Sequence, residues 1–216
     1  MFTPEAKDTG DGSASIEARR ALPVEEAFAI LTGGDRRPLL VLRECLTCTG
    51  TDDALLTRQT DNEKTMLYSR WFHCVKLPPD VLEADHPFHA LFGGDDPGHL
   101  FVSRWNGTDR RDLNGQQSRT ELWDVLEERL AHDYRSKPDK PLKELFRILD
   151  GYDLVDTRIA ELESRMDEAI EEEGPDSSKA ARLRKELIDL RAELSDLREK
   201  AVRVSDLKLN SERKPK

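Results

Sequence analysis

The 216-residue chain lacks a long hydrophobic run and contains few aromatic residues and few cysteines. Residues 1–8 show no basic region followed by an apolar stretch, so we expect neither a secretory signal nor a membrane anchor. Hydrophobic residues make up 37% of the chain and charged residues 36%, which is unusually polar for one globule. We therefore expect a soluble, cytoplasmic protein in which one ordinary domain is joined to an additional polar element.

The chain also lacks an excess of positive charge, because 44 Asp and Glu residues outnumber 34 Lys and Arg residues. The formal net charge is -10 and the isoelectric point is near 5.1. Nucleic-acid binding draws its affinity from clustered lysine and arginine, so this balance excludes a nucleic-acid partner.

Two of the three cysteines form the motif Cys45-Leu46-Thr47-Cys48, directly after the apolar run 38–42. A strand that ends in two cysteines at a helix entrance is the layout of a dithiol redox site. The positive end of the helix dipole would lower the pKa of a thiol there and make it a nucleophile. A zinc-binding or purely structural pair is the alternative, because CxxC motifs serve several purposes.

Glycine, proline and apolar periodicity predict the elements around this motif. Residues 1–15 have no apolar period and should be disordered. The predicted order is a helix from Pro23 to Gly33, a strand at 38–43, a late-starting helix reaching Leu67, a strand at 71–77, an irregular segment at 80–96, a strand at 97–105 turning at Asn106-Gly107, a short strand at 110–113 and a helix at 118–130.

This order resembles the thioredoxin fold over residues 20–132, and it looks most like the diverged thioredoxin-like domains of multidomain bacterial proteins. The resemblance is carried by the run 39–48 with its CxxC, by Pro97 before a strand that ends at Asn106-Gly107, and by Gly115 ahead of the last helix. It implies an α/β fold at 16–138, a three-layer sandwich with a central mixed sheet flanked by helices.

The resemblance also implies residue roles. Cys45 would be the attacking thiol and Cys48 the resolving thiol, and no cofactor would be needed. Asp96, Pro97 and Gly98 would line the groove for a protein substrate, with a cis peptide before Pro97 facing the disulfide. The substrate would be a protein disulfide or thiol.

Two acids affect this site. The carboxylate of Glu44, adjacent to Cys45, should disfavour the thiolate and oppose the helix dipole. Asp96 makes the expected groove acidic, which disfavours acidic peptides.

Other candidate residues have simpler interpretations. Cys74 lies within a predicted central strand, where a free cysteine packs as a small hydrophobic side chain. His86 and His89, together with Cys45 and Cys48, compose a Cys2His2 set suited to zinc, which we treat as the minority interpretation because solvated loop histidines are commoner. His99 could assist proton transfer, although a plain strand-end histidine is the commoner case.

Residues 139–206 have a different pattern, with apolar residues at alternating steps of three and four, as in a coiled-coil seam. The segment 173–178 contains Gly174, Pro175 and capping side chains, so it should separate two helices. An antiparallel α-helical coiled-coil hairpin is predicted, followed by a disordered basic tail at 207–216. The seam residues are Leu145, Ile148, Tyr152, Val155, Ile159, Leu162, Met166 and Ala169 in the first helix and Ala180, Leu183, Leu187, Leu190, Leu194, Leu197, Ala201 and Val204 in the second.

Charge favours pairing of these two helices with each other. Residues 142–173 hold 11 acids and 4 bases, net -7, whereas 177–204 hold 5 acids and 8 bases, net +3. Apolar residues outside the seam leave a face for another helix, so we expect a homodimer through residues 141–204 or docking of another protein.

Two functions fit these observations. One is a thiol-disulfide oxidoreductase that uses Cys45 and Cys48. The other is a non-catalytic interaction or scaffold module whose CxxC is vestigial or bound to zinc.

Overall fold

The computed structural model describes residues 20–44, 55, 62–94, 97–113 and 117–210. They form an α/β structure, as predicted, and divide into two compact units: a sheet unit up to residue 55 and from 73 to 119, and a helical unit of 56–72 and 120–216. No helix in the described ranges is long and apolar enough to cross a membrane. The elements are α1 (Val24–Thr32), β1 (Leu39–Arg43), α2 (Glu63–Ser69), β2 (His73–Leu77), β3 (Leu100–Ser103), β4 (Arg111–Leu113), α3 (Arg119–Asp133), α4 (Asp139–Glu173) and α5 (Ser178–Ser205), with 3-10 turns at Pro79–Leu82 and His89–Phe92.

The sheet has four strands in the order β2-β1-β3-β4. Strand β1 is parallel to β2 and antiparallel to β3, and β3 is antiparallel to β4. At the centre, Val41 is opposite Val75 on one side and Phe101 on the other. The mixed sheet expected from the sequence is therefore confirmed.

Helix α1 covers the sheet face that carries Val41 and Phe101. Pro23 precedes the helix, and Gly33 ends it with a φ of 55°, a conformation that costs glycine little. Phe28 of α1 meets Phe101 edge-to-face, with ring centroids 6.4 Å apart.

His73, the first residue of β2, connects this strand to the end of α1 and to Asp35 through its ring nitrogens. The Nδ1 atom of this ring lies 3.0 Å from Oδ2 of Asp35, and Nε2 lies 3.1 Å from the carbonyl oxygen of Leu31 at the end of α1. Burial of the Asp35 carboxyl acts to raise its pKa, but hydrogen bonds from Arg37 and His73 prevail and lower that pKa to about 2. The α1–β1 connection and the first residue of β2 are thus held by one charged cluster.

The expected core position of Cys74 is wrong. The residue is exposed, because β2 is an edge strand and Cys74 alternates with Val75, which packs against the core on the other face. Partial burial of the thiol still raises the pKa of Cys74, and the Arg37 charge opposes that effect.

In the helical unit, α2 and α3 are joined through aromatic side chains. The Nε1–H of Trp123 donates to Oγ1 of Thr65 at 3.0 Å. The hydroxyl of Tyr134 donates to the carbonyl of Trp71 at 2.7 Å, and Nε1–H of Trp71 donates to the carbonyl of Ser205 at 2.9 Å. These bonds connect the end of α5 to α3 and to the segment after α2.

Helices α4 and α5 run in opposite directions, as the ion pairs Glu144–Lys200 and Glu163–Arg191 show. Helix α4 ends at Gly174. The side chain of Ser177 caps α5 by accepting from the backbone N–H of Ala180. Near the connection, Leu162, Ala169, Leu183 and Leu187 form one buried cluster, with Ile159, Met166 and Leu190 packed against it. Further along α4, Leu145, Ile148 and Val155 are buried as well. Coiled-coil geometry along the whole pair stays a prediction.

Residues 207–210, assigned to the disordered tail from the sequence, instead contact the end of α3. The backbone N–H of Arg135 donates to the carbonyl of Lys208 at 2.9 Å, and Nδ2 of Asn210 donates to the carbonyl of His132 at 2.7 Å. The basic composition of this stretch gave no sign of these backbone contacts. Residues 1–19 and 211–216 lie outside the described residues.

Gly107, in the turn predicted from Asn106-Gly107, has a φ of +80°, and a Cβ there would overlap the ring of Phe28. We expect Gly107→Ala to lower the free energy of unfolding by roughly 2–4 kcal/mol, because backbone strain adds to overpacking of the core. Urea unfolding followed by circular dichroism measures the loss.

Gly34→Ala is the matched control. Its φ is +88°, but a Cβ there would meet nothing within 4 Å, so only strain of about 1 kcal/mol is expected. Equal losses in the two variants would contradict the clash with Phe28.

Candidate functional site

The predicted site falls partly within the described residues. Cys45, Cys48 and Asp96 lie outside them, as does the peptide that leads from Asp96 into Pro97. Pro97 and Gly98 are described, and so is Glu44 at the entry to the motif.

The end of β1 lies beside Pro97. Nη2 of Arg43 donates to the carbonyl oxygen of Pro97 at 2.9 Å, and the backbone N–H of Arg43 donates to the carbonyl of His99 at 2.7 Å. On the other side, the N–H of Glu44 donates to the carbonyl of Leu77 at 2.9 Å. The chain that enters the CxxC motif and the segment that begins at Pro97 are therefore brought to the same end of the sheet.

Arg43 was not singled out from the sequence. Its side chain is on the same strand face as Leu39 and Val41, and only 6% of the residue is exposed. The guanidinium lies 6.0 Å from the ring centroid of Phe92. The sequence did contain a signal for Arg43: it is an arginine on the buried face of an otherwise apolar strand. A buried cation needs acceptors nearby, so such a position indicates a specific contact.

A second arginine, Arg110, contacts Phe92 and Phe101 from the residue just before β4. The guanidinium of Arg110 stacks 3.9 Å from the ring centroid of Phe101 and 6.0 Å from that of Phe92. Its Nη1–H donates to the carbonyl of Leu91, and its Nη2 is ion-paired with Asp112. Two cations therefore flank Phe92 at this part of the sheet unit.

Gly98 allows close approach to β4. A Cβ at this position would lie 3.3 Å from the carbonyl oxygen of Leu113. A side chain would therefore force the backbone after Pro97 to shift.

The charge of Glu44 is partly offset. Lys76 of β2 forms an ion pair with Glu44 at 2.5 Å, and both side chains are substantially exposed. An exposed pair contributes little to stability, but it reduces the field that the Glu44 carboxylate exerts on the following residues.

The two histidines of the zinc interpretation differ in their surroundings. His86 is buried, and its Nδ1 accepts the backbone N–H of Phe88 at 3.1 Å. That lone pair is therefore unavailable to a metal, whereas Nδ1 of His89 is buried with no hydrogen-bond partner among the described residues. Within those residues, no group of three or more potential ligands is placed to hold a metal ion, and the two cysteines of the set lie outside them.

The helical unit contains an acid cluster that the sequence did not reveal. The Tyr68 hydroxyl of α2 donates to Oε2 of Glu127 in α3 at 3.2 Å. A hydrogen bond shared with Asp139, the first residue of α4, raises the pKa of Glu127, with burial and the Asp139 charge adding to the effect. Burial and the nearby Glu127 charge raise the pKa of Tyr68 well above its usual range. Lys64 lies 4.2 Å from the ring centroid of Trp123 beside this cluster.

Glu127 also borders a cavity of about 310 Å³, together with Asp124, Glu128, Ala131, Lys137 and Pro138. The three carboxyl-bearing members come from α3, whereas Tyr68 and Asp139 belong to α2 and α4. Such long separations along the chain left no motif to recognise.

No protein family model, curated protein or solved structure matches this chain.

We expect Glu127→Gln to increase the resistance of the protein to urea at neutral pH. Glutamine still accepts from Tyr68 and can donate to Asp139, but it carries no charge. A carboxyl whose pKa is raised in the folded state stabilises that state while protonated, and this contribution is lost as pH rises through the folded pKa. Urea midpoints of wild type and Glu127→Gln should therefore differ at neutral pH and converge on acidification.

Glu168→Gln, at an exposed acid of α4, controls for the change in net charge. A Glu127→Gln protein that is less stable than wild type at neutral pH, or a difference that does not depend on pH, would contradict the raised pKa of Glu127.

Proposed function

We propose that this protein is a thiol-disulfide oxidoreductase with a thioredoxin-like sheet domain, in which Cys45 and Cys48 exchange electrons with protein substrates. One observation carries the proposal: Arg43 and Glu44, which lead into Cys45, are hydrogen-bonded to the segment 97–99 and to Leu77. A dithiol that begins at residue 45 and a peptide groove lined by Pro97 and Gly98 require this proximity.

The order of the described elements supports the same proposal. A helix, a strand, a helix, a parallel strand, Pro97, an antiparallel hairpin and a last helix follow one another along the chain, in the order on which the resemblance rests. Two of these helices, α2 and α3, belong to the helical unit.

The proposed reaction transfers two electrons. The Cys45 thiolate attacks one sulfur of a substrate disulfide, forms a mixed disulfide and releases the other sulfur as a thiolate, which takes up a proton. The Cys48 thiolate then attacks the Cys45 sulfur, which forms the Cys45–Cys48 disulfide and releases the second substrate thiol. The substrate is reduced and the enzyme dithiol is oxidised.

Charge near the motif supports a nucleophilic thiol. The guanidinium of Arg43 is two residues from Cys45 along the chain and buried, and a nearby cation favours a thiolate. Lys76 offsets the Glu44 carboxylate. A reducing compartment such as the cytoplasm suits a chain with three cysteines.

The test is insulin disulfide reduction and a measured reduction potential, both in a Cys74→Ser background. That background is needed because Cys74 is exposed and could form mixed disulfides of its own. We expect Cys74→Ser to retain activity, Cys45→Ser to abolish it, and Cys48→Ser to accumulate a mixed disulfide with substrate through Cys45.

If Cys45 and Cys48 never cross-link under oxidation and the Cys74→Ser protein is inactive, the proposed enzyme function is refuted. The non-catalytic scaffold would then be the better description. Stoichiometric zinc released by thiol modification would favour the metal-bound form of that scaffold.

We also propose that the protein self-associates through residues 141–204. Large apolar side chains of α4 and α5 stay exposed in the single chain, with Leu154 54%, Ile188 63% and Val202 65% exposed. A second copy would cover such side chains.

Sedimentation velocity of the full-length protein over a wide concentration range, in reducing buffer, measures this association. We expect a concentration-dependent shift from monomer to dimer, and a monomer at every concentration would refute it. The full chain is required, because α2 contacts α4 within the helical unit. A truncation before α4 would remove packing from α2.

A further inference from the structure

A charged groove runs along one side of the α4–α5 pair, with a volume of about 400 Å³. Helix α4 contributes Arg158 and Arg165, and α5 contributes Glu186, Asp189 and Glu193. The groove thus has a cationic rim on one helix and an acidic rim on the other. Glu161, between the two arginines, leaves the α4 rim with net charge +1 against -3 on the α5 rim.

The rims are not joined to each other. Among the described residues, the side chains of Arg158, Arg165, Asp189 and Glu193 form no ion pair or hydrogen bond, and Glu186 pairs within its own helix with Arg182. The contrast is with the Glu163–Arg191 pair, whose 3.2 Å contact bridges the two helices. The opposite charges on the two rims therefore do not neutralise each other across the groove.

Apolar surface accompanies these charges. Leu162 and Leu190 line the groove between its rims. Leu154 precedes Arg158 by four residues, so it lies on the same helix face, and it is 54% exposed. A partner could therefore bury an apolar side chain at one end of the groove.

We propose that the charged groove is the surface through which a second copy of this chain docks, with α4 of each copy lying over α5 of the other. A two-fold interface requires a self-complementary patch, because each residue pair occurs twice. The +1 rim of one copy then meets the -3 rim of its partner at both positions. The alternative pairing of like helices would place two -3 rims together, which electrostatic repulsion disfavours. This assignment rests on the proposed self-association through residues 141–204.

The test is a reciprocal charge exchange in the full-length protein, measured by sedimentation velocity in reducing buffer. Arg158→Glu with Arg165→Glu makes both rims acidic, and Asp189→Arg with Glu193→Arg makes both rims net positive. We expect each double variant alone to dimerise at least roughly tenfold more weakly than wild type, because like charges then face each other. An equimolar mixture of the two variants should form a heterodimer of near wild-type affinity.

Lys185→Glu with Arg198→Glu is the matched control, since both residues are exposed on α5 and neither lines the groove. Far-ultraviolet circular dichroism confirms that each variant is folded. We expect the control to dimerise like wild type.

If wild type dimerises and both groove variants dimerise with the same affinity as wild type, the groove assignment is overturned. Self-association would then use another face. Variants that weaken dimerisation without recovery in the mixture would overturn it as well. A wild-type protein that is monomeric at every concentration would refute both this interface and the proposed self-association.

Discussion

The sheet unit depends on how it accommodates the buried guanidinium of Arg43. Burying a cation is costly unless acceptors replace its water; here Nη2 donates to the carbonyl oxygen of Pro97, and the guanidinium lies 6.0 Å from the ring centroid of Phe92. The same residue uses its backbone N–H to extend the β1–β3 pairing to His99. One arginine thereby couples the exit of the central strand to the segment that starts at Pro97, and the proposed chemistry is only possible if these two segments are neighbours.

The helical unit follows a different principle. Its α4–α5 pair is held by an apolar seam, while exposed ion pairs such as Glu163–Arg191 contribute little energy and mainly select the partner helix. Charges beyond those used within the chain remain along the charged groove. Their separation onto two rims of opposite sign is the basis for the proposed docking of a second copy.

Several features could be predicted from local pattern because the physics that fixes them is local. Gly33 ends α1 because glycine tolerates positive φ, and Gly107 occupies the β3–β4 turn for the same reason. The break between α4 and α5 follows from Gly174 and the capping side chain of Ser177. The burial of Cys74 was predicted wrongly, because the 71–77 pattern cannot reveal whether a strand has neighbours on both sides.

By itself, the sequence determined the order of helices and strands, the α/β class and the apolar seam at 145–187, since these depend on side-chain periodicity within a few turns. Only the tertiary structure decided that β2 is an edge strand, that Arg43 faces Pro97, and that Glu127 of α3 lies beside Tyr68 of α2. Each of these contacts depends on strand order or on helix packing between distant segments. Residue spacing along the chain carries no information about which distant segments become neighbours.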